Sequence, residues 1–128
     1  IMQTRMENKE HFFSLFANKP WCRLQKELGE STWFTFGVVL DGELKGRRAE
    51  VIKALSEAGI QNRPLASRNF LKQPVMRELD HIHNRVYNGV DYPGADDIHD
   101  NGFFVGNGSL DLKAGISKMY DVMTSFVK

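Results

Sequence analysis

The pattern of apolar residues predicts an α+β domain, in which a small, mostly antiparallel sheet is covered by helices on one face. Three observations carry that expectation. Residues 32–40, Thr-Trp-Phe-Thr-Phe-Gly-Val-Val-Leu, form an aromatic and β-branched run suited to a central strand. Near the end of the chain, Leu112, Ile116, Met119, Tyr120, Met123 and Phe126 recur at helical spacing and make one apolar stripe. Helical and extended patterns alternate along the chain with no internal repeat and no low-complexity linker, which gives one layer of sheet and one of helices.

Taken in order, Phe12, Phe13, Leu15 and Phe16 among charged neighbours predict the last turns of an amphipathic helix over 5–18, ending before Pro20. Further sequence is expected before it. The strand over 32–40 has Phe34, Phe36, Val38 and Leu40 on one face, which leaves Trp33 and Val39 on the other, where a partner surface is expected. Asp41-Gly42 leads out of the strand. Gly46 to Ala58 then sets Val51, Ile52, Leu55 and Ala58 at helical spacing, with Gly59 as the stop. Ile60 to Leu65 reads as a short strand cut by Pro64, followed by an irregular loop over 66–69.

From Gln73 to Val90 the pattern is mixed, with a short helix starting at Pro74. Tyr92-Pro93-Gly94 predicts a turn, Ala95 to Asp100 a helical turn or two, and Gly102 to Gly106 a strand bounded by glycines. In the last helix Ser109 is expected to cap the amino end, where Asp111 suits the positive end of the dipole.

The composition narrows the function classes. A chain of 128 residues fits one domain able to bury a core without staples. Seventeen basic and sixteen acidic side chains leave a formal charge of +1, so no strong field exists to hold nucleic acid or an anionic membrane. No apolar stretch approaches the roughly 20 residues of a membrane helix. The single Cys22 excludes an intrachain disulfide and a multi-cysteine zinc site, and it suits the reducing cytoplasm. The chain begins at Ile1, not at Met, as expected of a segment from inside a longer protein.

Two blocks carry a resemblance. The first is Gly59-Ile60-Gln61-Asn62-Arg63-Pro64, followed by Asn69-Phe70 and Gln73-Pro74, after the Trp33, Phe34 and Phe36 strand. The second is Ala95-Asp96-Asp97-Ile98-His99-Asp100-Asn101-Gly102-Phe103-Phe104-Val105-Gly106-Asn107. Together with Arg5-x-x-Asn8 near the start, they resemble the small, carboxy-terminal domain of the DegT/DnrJ/EryC1/StrS family of sugar aminotransferases, and more closely its 3-dehydratase branch. Arg68 departs from the family pattern, which has Gly before the Asn-Phe pair.

The resemblance implies the small domain of a fold-type I pyridoxal-phosphate enzyme, with residues 1–18 ending an interdomain helix and 19–128 forming the domain. It implies a homodimeric full-length enzyme whose large amino-terminal domain holds pyridoxal or pyridoxamine phosphate, with no cofactor bound by this chain alone. The substrates implied are a nucleotide-linked 4-keto-6-deoxyhexose and glutamate. The expected reaction is 3-dehydration; the alternatives are transfer of an amino group to the sugar, and a stand-alone binding module with no catalysis. No catalytic residue is expected in this chain.

Candidate substrate contacts are Arg63, Arg68, Asn69 and Phe70. The two arginines offer planar permanent cations that can fork onto a carboxylate or a phosphate. Against this, Arg63 can pair with a nearby acid and Arg68 can be solvated. Asn69 can hydrogen-bond substrate or close a turn. Asp80, His81, His83, His99 and Asp100 can be drawn as a metal cluster, but nothing else predicts the strand that His-x-His geometry needs, and His99 is read as a loop anchor. Cys22 has no base beside it. Gly102, Gly106 and Gly108 lack the spacing of a phosphate loop and are read as turn formers.

Overall fold

A computed structural model of the chain describes residues 1–65, 69–79 and 91–128. Strands β1 (Cys22–Leu24), β2 (Thr35–Leu40) and β3 (Gly102–Gly106) form an antiparallel sheet with β2 in the middle. Among the described residues, helices α1 (Met2–Phe16), α2 (Arg48–Glu57), α3 (Val75–Glu78), α4 (Pro93–Asn101) and α5 (Lys113–Thr124) follow in chain order. The expected α+β architecture is the one observed.

Register fixes the inner face. Leu40 lies opposite Cys22, Val38 opposite Phe103 and Phe36 opposite Val105, and all six are buried. Helices α1, α2 and α5 supply most of the rest of the core through Phe12, Phe16, Val51, Leu55, Ile116, Met119 and Met123, with Trp21, Trp33 and Leu44 joining from the connecting segments. The Phe12 ring stacks on Phe36 at 4.3 Å and on Phe16 at 4.6 Å. Burying a side chain of that size contributes on the order of 1.5–3 kcal/mol, so this stack holds α1 against the middle strand.

Several elements differ from expectation, each for a physical reason. β1 is missing from the sequence reading because three residues are too few for a period-2 signal; β1 forms because the free edge of β2 is there to pair with it. Trp33 does not point to the open face. Its φ of 49° breaks the alternation before β2 begins, so Trp33 is buried against Phe13 and Phe36 while Phe34 is left 67% exposed. The strand predicted at 60–65 is reduced to a single bridge between Arg63 and Phe104, as Pro64 has no N–H to continue the ladder.

Helix α4 starts at Pro93, inside the predicted turn, with proline at a position where its missing N–H costs nothing. Ser109 makes no cap. The Asp111 carboxylate accepts from Lys113 N at 3.0 Å, and the Asn8 side chain accepts from Leu112 N at 3.0 Å. Gly59 does end α2 as expected: at φ 82° it lets its own N–H reach Ser56 O and the Ile60 N–H reach Leu55 O.

The outer sheet face carries Arg23, Gly37, Val39, Gly102 and Phe104. Among the described residues no helix layer lies over it comparable to the one on the inner face. Residues 63–65 and α4 flank it, with the Leu65 side chain near Gly37 and Gly102.

Candidate functional site: the loop from Arg63 and the helix beneath it

The chain leaves α2 through the Gly59 turn and runs antiparallel to β3 at one point. Arg63 N donates to Phe104 O at 2.9 Å, and Phe104 N donates to Arg63 O at 2.8 Å. The backbone is thereby fixed while the Arg63 side chain is exposed, and no carboxylate among the described residues pairs with it. Among these residues its permanent cation therefore has no anionic partner, and an anionic group could take that place. Arg68 lies outside the described residues.

Asn69 is 6% exposed and turned inward. Its Oδ1 accepts from Leu71 N at 3.1 Å, which caps a 3-10 turn over Phe70–Lys72, and its Nδ2 donates to Asp96 Oδ1 at 2.7 Å. The turn-closing alternative is therefore the geometry observed. Its neighbour Phe70 stands 52% exposed at the start of the same turn. Of the four candidates, the structure brings Arg63 and Phe70 to the surface and engages Asn69 within the fold.

The residues that secure this loop were not singled out as a unit by the sequence. Asp96 Oδ1 also accepts from Lys72 Nζ at 2.9 Å, and the lysine and the Asn69 amide hold the Asp96 carboxyl below the ordinary carboxylate value. His99 Nδ1 lies 3.4 Å from Asn69 N, so His99 anchors the loop as expected. Asp97, one position on, turns to the other side: it pairs with Arg23 of β1 and accepts from Asn101 Nδ2 at 2.8 Å. Arg23 also reaches Asp41 Oδ2 at 3.1 Å, and its contact holds the Asp97 carboxyl below the usual range. At the end of α4, Arg48 donates to His99 O and to Gly102 O. The signal was present as Ala-Asp-Asp-x-His over residues 95–99, but which acid faces which partner depends on helix phase and on strands distant in sequence.

An open groove of about 1220 Å³ lies along the β1 side, walled by Leu24, Trp33, Val39, Leu65, Asp97 and Ile98 among others. Lys9 sits at its rim, 3.3 Å from Glu27 and over the Trp33 ring, whose Nε1 donates to Glu27 at 2.9 Å. The Cys22 thiol is buried and burial pushes its pKa up to about 11, so it is a poor nucleophile. Among the described residues no group of three or more His, Cys, Asp or Glu could hold a metal ion, and His81 and His83 lie outside them. No described lysine is buried, so none offers the desolvated amine that a Schiff base with pyridoxal phosphate uses; these residues do not fit that cofactor. Among the described residues no helix is long and apolar enough to cross a membrane.

No family model matches the chain. It is 34% identical over 124 residues to the GDP-4-keto-6-deoxy-D-mannose 3-dehydratase of Yersinia pseudotuberculosis, covering 96% of this chain and 30% of the relative. The enzyme of the same name from Escherichia coli O55:H7 is 33% identical over 125 residues, covering 96% and 31%. Among solved structures, the E. coli 3-dehydratase with bound hydrated PLP superposes with a TM-score of 0.78 at 28% identity over 94% of this chain and 30% of that one. A Helicobacter pylori aminotransferase involved in pseudoaminic acid biosynthesis shares the fold at a TM-score of 0.66 and 15% identity, over 98% and 32%. The chain thus spans about a third of the length of the relatives it matches. Its α+β fold is that of the small domain of fold-type I pyridoxal-phosphate enzymes, and the resemblance to the 3-dehydratase branch of the DegT/DnrJ/EryC1/StrS family extends over nearly the whole chain.

Proposed function

We propose that this chain is the small domain of a longer nucleotide-sugar 3-dehydratase of deoxysugar biosynthesis, acting in the cytoplasm as a homodimer, and that it is inactive alone. The observation that carries the reading is the 34% identity that runs through 96% of the chain to an enzyme of that activity. In this reading α1 continues from a larger amino-terminal domain, which holds pyridoxal or pyridoxamine phosphate. When bound, that group supplies the electron sink that lets the sugar lose a proton and then its 3-hydroxyl. The present chain supplies binding and enclosure. Arg63 and Arg68 offer cations to the nucleotide phosphates or to the glutamate carboxylate, and Phe70 covers the substrate with apolar surface. Asn69 holds the loop from beneath.

The test is to supply the longer protein with GDP-4-keto-6-deoxy-D-mannose, the cofactor and glutamate, and to follow the sugar by NMR. Loss of the 3-hydroxyl is expected. An amino sugar as sole product would replace the reading with the aminotransferase alternative. Arg63→Ala is expected to raise KM for sugar or glutamate about tenfold, and unchanged constants for both would remove the loop from the substrate. The separate 128-residue chain is expected to show no turnover and no stoichiometric binding of pyridoxal phosphate; tight binding would contradict the location of the cofactor.

A further inference from the structure

We propose that Asp96 is a positioning residue for the substrate-facing loop, setting Phe70 and the backbone on either side of it through Asn69 and Lys72. The inference rests on the reading of the loop given above and adds a residue to it. One carboxylate oxygen serves two loop side chains: Asn69 Nδ2 at 2.7 Å and Lys72 Nζ at 2.9 Å. These two residues bracket the 3-10 turn that carries Phe70. Asn69 Oδ1 meanwhile caps that turn at Leu71 N, so moving the Asn69 amide moves the turn with it. His99, one helical turn beyond Asp96, adds a contact from Nδ1 to the Asn69 backbone at 3.4 Å.

The support is itself fixed. Asp97 faces away from Asp96 and ties α4 to Arg23 on β1, and Arg48 holds the carbonyls of His99 and Gly102. Helix α4 therefore refers the loop to the sheet from both sides. Loops held this way lose little further freedom on binding, which favours affinity over turnover as the quantity they control. An exposed aromatic ring gains most from such mounting, because an ordered ring presents apolar area without a large entropic cost.

The experiment compares Asp96→Ala with Asp96→Asn in the longer protein, reading steady-state kinetics and amide hydrogen exchange. Asp96→Ala is expected to speed exchange over residues 69–72 and to raise KM for the nucleotide sugar about tenfold with kcat within about twofold. Asp96→Asn keeps a carbonyl that Asn69 can donate to, so it is expected to restore most of the exchange protection and most of the KM. Unchanged exchange over 69–72 in Asp96→Ala would overturn the positioning role. Faster exchange with KM unchanged would keep the fastening and overturn the placement of substrate at the loop. Equal fall of kcat in both variants would also overturn the proposal. If Asp96→Ala does not fold, Asn69→Ala removes the same bond from the loop side and is read by exchange alone, with unchanged exchange counting against the proposal.

Discussion

Asn8 and Asn107, 99 residues apart, meet side chain to side chain in the interior at 3.0 Å, and each uses its remaining groups on backbone. Asn8 donates to Leu110 O and accepts from Leu112 N. Asn107 donates to Arg5 O at 3.0 Å and to Trp33 O at 2.6 Å. Two amides thus join α1, the residues just before β2, and the start of α5. Buried polar groups are tolerable when satisfied in this way and expensive when one partner is removed.

Asn107→Ala is therefore expected to lower stability by about 3 kcal/mol, since Trp33 O and Arg5 O each lose a donor in the interior. Urea denaturation of the longer protein, followed by Trp fluorescence, reads the loss. A cycle with Asn8→Ala is expected to show coupling of about 1 kcal/mol, and strict additivity would dissolve the pair.

Gly102 sits where α4 turns into β3 with no room for a methyl group. A Cβ there would lie 2.6 Å from Ile98 O and 2.7 Å from Leu65 Cδ1. Leu65 can swing aside, but the helix carbonyl cannot without loosening α4. Gly102→Ala is expected to cost about 1–3 kcal/mol and to displace Leu65. Chemical denaturation and a structure of the variant check both, and a neutral change would show that α4 yields easily.

The Cys22 thiol, 6% exposed and with its pKa pushed up to about 11 by burial, is expected to resist thiol–disulfide exchange at pH 8 while the protein is folded. Lys19 opposes the shift but does not cancel it. Ellman's reagent in buffer and in guanidinium separates the outcomes: slow reaction that becomes fast on unfolding is expected, and rapid reaction in buffer would contradict the burial.

Acid sensitivity follows from Asp96 and Asp97, whose carboxyls lie below the ordinary value of 3.8 because Lys72 and Arg23, respectively, hydrogen-bond them. A depressed folded-state pKa gives stability that is complete above the unfolded value and is lost as pH falls through the folded one. Stability is thus expected to be insensitive to these two groups from pH 5 to 8 and to decline below about pH 4. Asp97→Asn is expected to flatten that acid slope in denaturation midpoints measured against pH. A slope unchanged from the parent would remove the Arg23 pair as its origin.

Local chemistry made much of this fold legible. The stripe from Ile116 through Met119 to Met123, the Gly59 stop after α2 and the Phe36, Val38, Leu40 face of β2 all lie buried or closed as their spacing implies. The site was legible as a segment and less so as residues. Arg63 and Phe70 reach the surface, but Asn69 turns inward, because the nearby Asp96 offers it a charged acceptor that no local pattern reveals.

The sequence by itself determined the class of layers, the inner face of the sheet, the main helices and the family motif, since each depends on residues a few positions apart and on periodicities of 2 and 3.6. The tertiary structure alone decided that Cys22–Leu24 becomes a strand, that Trp33 turns into the core at φ 49°, and that Asp96 and Asp97 serve opposite sides of one helix. The reason is the same in each case. A short edge strand, an inverted backbone angle or a shared carboxylate costs free energy locally and persists only when partners tens of residues away supply the pairing that offsets it.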